Sequence, residues 1–120
     1  MKQGIIYRKT DGPFRYQAWP SVCCDENGVL YAVCSGHRVA HVCPFGKNLM
    51  FTSHDGGETW SPPIIVNDTR LDDRDAGITY LGNGKMIDAS SGAGQVRITK
   101  SVLSGSYWKQ HFLMAYRIWN

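Results

Sequence analysis

Short apolar and β-branched runs alternate along the chain with clusters of glycine, proline, asparagine and aspartate. This alternation is typical of antiparallel strands joined by tight turns. Before residue 100, apolar positions do not recur at the three- and four-residue spacing of an amphipathic helix. The pattern therefore predicts an all-β fold. The predicted strands are residues 5–9, 21–24, 29–34, 38–43, 48–52, 64–66, 78–81, 85–89, 95–100 and 112–119.

Two stretches of the chain, 21–36 and 77–92, repeat each other at an offset of 56 positions, the separation of Asn27 from Asn83. Each reads as a strand, an Asn-Gly pair, a second strand and an end of small residues. Asn-Gly between strands is a strong hairpin signal, because a type I′ turn needs positive φ at both central residues. The sequence therefore predicts two similar hairpins with type I′ or related turns.

A strand repeat of this length suggests the blades of a β-propeller, which have four strands in about 40–50 residues. We expect residues 1–120 to be the N-terminal part of one propeller domain, with a first blade at about 14–66 and a second at about 72–120. The C-terminal segment 110–120 is compatible with a strand or a short helix. Two blades do not close a ring, so open faces and edges are expected to promote self-association.

Composition and charge narrow the function classes. The chain is 42% hydrophobic and 12% aromatic, as in globular proteins. Its net charge is +3, but the basic residues are scattered, so no nucleic-acid partner is expected. No secretory signal and no apolar run of about 20 residues is seen, so a cytoplasmic protein without a membrane partner is expected. The cysteines, which form no Cys-x-x-Cys pair, are interpreted as reduced thiols: Cys23, Cys24, Cys34 and Cys43.

Donor atoms suited to zinc occur close together at Cys34, His37, His41 and Cys43. In a strand His41 and Cys43 share a face, whereas Cys34 and His37 do not, and the spacings match no familiar zinc pattern. We therefore expect neither a metal nor another cofactor. His41 is instead a candidate for binding a hydroxyl group of a carbohydrate.

The octet at 53–60, SHDGGETW, lies between two predicted strands and is predicted to form the tip of a hairpin. Its two glycines supply positive φ angles, while Asp55 and Thr59 are able to bond backbone amides that have no ladder partner. Asp55 is therefore interpreted as a turn-forming residue, with a catalytic role as the weaker alternative.

The octet matches in full the Asp-box, S-x-D-x-G-x-T-W, through Ser53, Asp55, Gly57, Thr59 and Trp60. Over about residues 14–90 the chain resembles the start of a sialidase, a family of BNR-repeat proteins. The resemblance implies part of a six-bladed β-propeller, with the box joining outer blade strands away from the active site. It also implies a glycoside hydrolase of the exo-α-sialidase type, acting on a glycan or glycoside. Asp-boxes also occur in non-catalytic propellers, so a glycan- or protein-binding module is the alternative.

Sialidases hold the substrate carboxylate with three arginines, because a guanidinium offers paired donors and keeps its charge. Their first arginine lies in an F/Y-R-I-P motif. Here the corresponding stretch is 14–20, FRYQAWP, which makes Arg15 a candidate for binding the substrate, with three extra residues between it and the proline. Arg38 matches an additional arginine that lines the sialidase pocket. The family's Tyr–Glu nucleophile belongs to later blades, so this chain alone is expected to be inactive.

Asp72-Asp73-Arg74-Asp75 precedes the second repeat, where propeller strands begin near the central axis. The resemblance makes Asp73 and Asp75 candidates for the catalytic acid/base and Arg74 a candidate for substrate binding. Two interpretations of the cluster stay open: a mutually neutralised ion-pair network, or a sugar-binding group. In the second case, Arg38 and Arg74 are expected to point toward a common cleft.

Overall fold

The computed structural model describes residues 3–92, 95–102 and 115–116, and the side chains of residues 3–87. The described part is all-β and contains no helix, and therefore none able to cross a membrane. The strands form two four-stranded antiparallel sheets in sequence order. They are β1 (Tyr16–Cys24), β2 (Leu30–Arg38), β3 (Lys47–Ser53), β4 (Ile64–Asn67), β5 (Arg74–Gly82), β6 (Lys85–Gly92), β7 (Gln95–Val102) and β8 (Ala115–Tyr116).

The β1–β2 and β5–β6 hairpins have the same register, which confirms the predicted pair of hairpins. Every pairing from Ala18↔Ser35 to Cys24↔Leu30 recurs 56 positions later in β5–β6. The irregularity in β1 between residues 18 and 21 also recurs, between residues 74 and 77 of β5. The sequence repeat is therefore a structural repeat, including its β-bulge.

The two hairpin turns differ in type. Asn83 and Gly84 have φ angles of 52° and 67°, as a type I′ turn requires at both central residues. In the first turn Gly28 has a φ of 80°, and its amide donates to the carbonyl of Asp25. The Asp25 carboxylate also accepts hydrogen bonds from two backbone amides of the turn. This turn is longer than a type I′ turn and contains a glycine in the left-handed conformation, as longer hairpin loops commonly do. It is therefore one of the related turns that the sequence predicted.

The hydrophobic core lies between the two sheets. Alternate positions of the strands supply it, because successive side chains of a strand point to opposite faces. Its buried members are Tyr31, Val33, Met50 and Val66 from the first sheet, and Ala76, Ile78 and Met86 from the second. The other face of the first sheet is partly covered by the N-terminal segment, where the Tyr7 ring contacts Phe51 at a centroid distance of 5.2 Å.

Polar contacts also join the sheets. The Ile78 amide donates to Ser21 Oγ at 3.3 Å, and the Tyr80 hydroxyl donates to the Glu26 carboxylate at 2.6 Å. Both bonds connect the β1–β2 hairpin with β5, so the relative position of the two sheets is fixed by more than apolar packing.

Two predicted strands are wrong. Residues 5–9 are not in a strand, and Ile5 and Ile6 are exposed. After Arg38, the last residue of β2, residues 39–42 form bends, because the His41 carbonyl and the Cys43 amide bond Arg38 and Asp72 and do not pair with a neighbouring strand. Of the predicted strand at 112–119, only 115–116 falls within the described residues, in β8.

Candidate functional site

Most of the candidate site residues lie at one end of the two sheets, where β2 ends and β5 begins. A loop of residues 39–46 joins β2 to β3 at this end, and residues 68–73 join the two sheets. The turn that contains the Asp-box joins β3 to β4 at the opposite end. The box and the candidate site are therefore separated by the length of β3.

A buried ion pair between Arg38 and Asp72 is the centre of this end. Arg38 Nη2 lies 2.7 Å from Asp72 Oδ1, and the Arg38 side chain has no exposed surface. The guanidinium also donates to the carbonyls of His41 at 2.7 Å and Asp73 at 3.1 Å, and its carbon lies 5.3 Å from the centre of the Trp19 ring. Arg38 is thus enclosed by the protein's own groups.

Arg74 binds the same aspartate from its other side. Arg74 Nη2 is 2.9 Å from Asp72 Oδ2, and the Arg74 side chain is 28% exposed. Asp72 Oδ2 also accepts a hydrogen bond from the Cys43 amide at 3.1 Å. The structure brings both predicted arginines to one carboxylate, and Arg74 is the one that solvent reaches.

Asp73 lies in a different environment. It is buried, and its carboxylate accepts hydrogen bonds from the Asn67 side chain, the Thr69 hydroxyl and the Thr69 amide at 3.0, 3.0 and 2.6 Å. These contacts hold the connection between the two sheets. The catalytic role stays a prediction for Asp73, whose described contacts are those of a loop-stabilising carboxylate.

Asp75 is exposed and has a φ of 56°, a conformation that is rare for residues other than glycine. Trp19, which precedes it by the repeat offset, has a φ of 52° at the equivalent bulge of β1. Strained backbone of this kind is concentrated at functional sites. At its bulge the Trp19 ring lies over the Arg38 guanidinium, whereas Asp75 at the equivalent bulge is an exposed residue.

Aromatic and imidazole rings surround the loop at 39–46. The exposed His41 ring contacts Trp19 edge-on, with centroids 4.9 Å apart, and the His37 ring stacks on Phe14 at 4.1 Å. Burial lowers the pKa of His37, and Lys47 adds to this effect. Arg15 is exposed, and its amide donates to the Pro13 carbonyl.

Sequence reasoning missed the role of Trp19. In the sequence, the one indication of a special position for Trp19 is that it aligns with Asp75 in the repeat. The residues around Trp19 do not indicate contact with a buried arginine. Sequence reasoning also did not distinguish Asp72 from the neighbouring acids.

The Asp-box forms a closed set of hydrogen bonds within its own turn. Asp55 Oδ1 accepts from the Ser53 hydroxyl at 2.8 Å and the Thr59 amide at 2.9 Å, and Oδ2 accepts from the Thr59 hydroxyl at 2.5 Å. The Gly57 amide donates to Ser53 Oγ, and Trp60 Nε1 donates to the Gly57 carbonyl. The bonds from Thr59, its hydroxyl first and its amide second, lower the pKa of Asp55 to about 2.

We predict that Asp55→Ala lowers the melting temperature at pH 7, because Thr59 loses both of its partners. A carboxyl with a depressed folded-state pKa stabilises the protein above its unfolded-state pKa of about 3.9, and that contribution is lost as pH falls through the folded-state value. The difference between wild type and variant should therefore shrink between about pH 4 and pH 2 in thermal melts followed by circular dichroism. A difference that is constant over this range would contradict the assignment.

Chemically, the site combines a partly exposed guanidinium, an exposed carboxylate and an exposed imidazole. These groups suit an anionic or hydroxylated ligand. Within the described residues, no cluster of three or more His, Cys, Asp or Glu side chains is arranged to hold a metal ion. No protein-family model matches the chain, and no curated protein matches it by sequence.

Proposed function

We propose that the chain is part of a sialidase-like β-propeller glycoside hydrolase that acts on terminal sialic acids or related glycosides. The observation that carries the proposal is the complete S-x-D-x-G-x-T-W box, folded as the β3–β4 turn of a four-stranded antiparallel sheet. The second sheet, whose first hairpin has the same register and bulge, supports a blade repeat. The site lies at the end opposite the box, as in the family that the chain resembles.

In this proposal Arg74 binds the carboxylate of the sugar, because it is the partly exposed arginine of the two that Asp72 holds. Arg38 positions Arg74 through that shared aspartate. Asp75, exposed at the strained bulge, is the candidate acid/base, and His41 is a hydroxyl-binding group. The nucleophile is not assigned to this chain, so we expect the chain to bind a sialoside without cleaving it.

The test is a titration of the isotopically labelled chain with the methyl α-glycoside of N-acetylneuraminic acid, followed by NMR. We expect shift changes at Arg74, Asp75 and His41, loss of binding in Arg74→Ala, and unchanged binding in Arg8→Ala, which alters an exposed arginine before β1. Absence of shift changes, or equal loss in both variants, would contradict the proposal.

A non-catalytic Asp-box module that binds glycans is the second candidate. This candidate is favoured because Arg38 and Asp73, two of the predicted site residues, are buried and bond other groups of the protein. Hydrolysis of a fluorogenic sialoside by the product of the complete reading frame distinguishes the two functions. Binding without hydrolysis there would favour the module.

A further inference from the structure

The segment at 3–15 covers part of the first sheet on the face opposite the core. Residues 3–15 contain no strand, so they are not part of the ladder of backbone hydrogen bonds in the sheet. Side-chain rings hold the segment in place instead. The Tyr7 ring packs on Phe51 with centroids 5.2 Å apart, and the Phe14 ring stacks on His37 at 4.1 Å. A cavity lies between this segment and the sheet.

The cavity has a volume of about 230 Å³ and is lined by the segment and by three strands of the first sheet. Alternate residues of a strand share a face, and the residues of β2 on this face have small side chains, which leave space beneath the segment. The cavity reaches the surface, because Ile6 on its wall is 38% exposed. The lining side chains include Ile6, Tyr7, Ala18, Ala32, Cys34 and Phe51.

The wall of the cavity carries no charge. None of the described residues that line it is an Asp, Glu, Lys, Arg or His. Burial raises the pKa of the Cys34 thiol to about 11, so this thiol is neutral at pH 7. Gln17 also lines the cavity, but its amide atoms are buried, and the amide oxygen lies against Gly36, where an added Cβ would collide with it. The wall therefore suits an apolar molecule and offers no partner to an ion.

The size of the cavity and its cover limit what fits. An apolar cavity of about 150 Å³ binds benzene, whereas pockets for drug-sized ligands have volumes of about 300–1,000 Å³. A space of about 230 Å³ therefore suits one ring with a small substituent. A protein partner would have to displace the segment, whose rings already contact this face, whereas a small molecule fits beneath it.

We propose that this cavity is a binding site for a small, uncharged apolar molecule of about the size of a monosubstituted benzene. The site is separate from the proposed sugar site, because none of its lining residues is a candidate site residue. The inference therefore goes beyond the proposed function and does not depend on it.

The experiment titrates the isotopically labelled chain with toluene and with benzylammonium, a charged molecule of similar shape, and follows the lining residues by NMR. We expect toluene to bind saturably, with a dissociation constant on the order of 1 mM and with shift changes at Ile6, Ala32 and Phe51. Benzylammonium should bind at least about tenfold more weakly, because the wall has no group that pairs with its charge.

Two kinds of leucine variant locate the binding site. Ala18→Leu adds atoms to the wall and should weaken toluene binding by about tenfold or more, because they occupy the space that the ring needs. Cys34→Leu, which fills the cavity from β2, is used if Ala18→Leu does not keep the wild-type amide spectrum. Ala40→Leu is the matched control, since Ala40 is exposed and does not line the cavity, and it should bind toluene as the wild type does.

The contrary results each overturn the inference. Absence of shift changes at the lining residues, up to the solubility limit of toluene, would show that the cavity does not take an apolar ring. Equal affinities for toluene and benzylammonium would show that the site does not select uncharged molecules. Unchanged affinity in the cavity-filling variant, or an equal loss in Ala40→Leu, would place the bound toluene outside the cavity. None of these results affects the sialoside titration, whose candidate residues lie outside the cavity.

Discussion

Replacing Arg38 with alanine is expected to lower the free energy of unfolding by about 3–5 kcal/mol, the usual effect of removing one partner of a buried ion pair. The guanidinium is fully buried and bonds Asp72 and the carbonyls of His41 and Asp73. Alanine would leave the Asp72 carboxylate with Arg74 and the Cys43 amide, and both carbonyls without that donor. Trp19 would also lose the cation beneath its ring.

Urea denaturation of three variants measures this effect. Arg8→Ala removes an exposed arginine and should change the free energy of unfolding by less than about 0.5 kcal/mol. Arg38→Lys keeps the charge but lacks the planar fork that reaches three acceptors, so an intermediate loss is expected. Equal stability of Arg38→Ala and Arg8→Ala would show that the pair is not structural. Loss of sialoside binding at unchanged stability would instead indicate direct contact between Arg38 and the ligand.

The fold was predictable from sequence where the signals are local. Asn27-Gly28 and Asn83-Gly84 each mark a hairpin, and both hairpins form. In the octet at 53–60 the hydrogen bonds of Asp55 are made to Ser53 and Thr59, which belong to the same eight residues. This turn is therefore determined by local sequence. The offset of 56 positions was found from the turn residues, and in the structure it also relates the strand pairings and the bulges of the two hairpins. The pairing is well determined because a shift of one residue would move every core side chain to the opposite face of the sheet.

The site was less predictable, because its determinants are distant in sequence. Residues 38–43 have the alternating pattern of a strand, but the carbonyl of His41 and the amide of Cys43 bond a pair whose members lie 34 positions apart, Arg38 and Asp72. The run Asp72-Asp73-Arg74-Asp75 gives no sign of which acid is buried. In the structure the three acids have three environments, set by a loop and a bulge that the pattern does not encode.

The two sheets differ at the site end in a way that explains the ion pair. Eight residues join β2 to β3, whereas two residues join β6 to β7. A loop of the greater length has more backbone groups without ladder partners, and buried groups of that kind need other partners. Arg38, Asp72 and Asp73 provide them for residues 41, 43 and 46. The buried pair is therefore the support of the longer loop.

Gly46→Ala tests whether the loop depends on the ion pair, because it adds an atom next to the pair, whereas Arg38→Ala removes one of its members. The new Cβ would collide with Arg38 Nη1 and would lie 2.6 Å from Asp72 Oδ1. Overpacking typically costs about 1–3 kcal/mol, and here the atoms that must move are a buried ion pair, so we expect a loss at the upper end, about 3 kcal/mol. Gly77→Ala is the matched control in β5, because no atom lies within 4 Å of its Cβ position, and a change below about 1 kcal/mol is expected.

A double mutant distinguishes a collision with Arg38 from a general intolerance of alanine in the loop. In the Arg38→Ala background the space occupied by the guanidinium is empty, so Gly46→Ala should cost clearly less than in wild type. The coupling energy between the two substitutions should be on the order of 1–3 kcal/mol, as for residues in direct contact. Additive losses in urea denaturation would mean that the cost of Gly46→Ala comes from the contact with Asp72 Oδ1, which remains in this background, and that contact with Arg38 does not limit the space at Gly46.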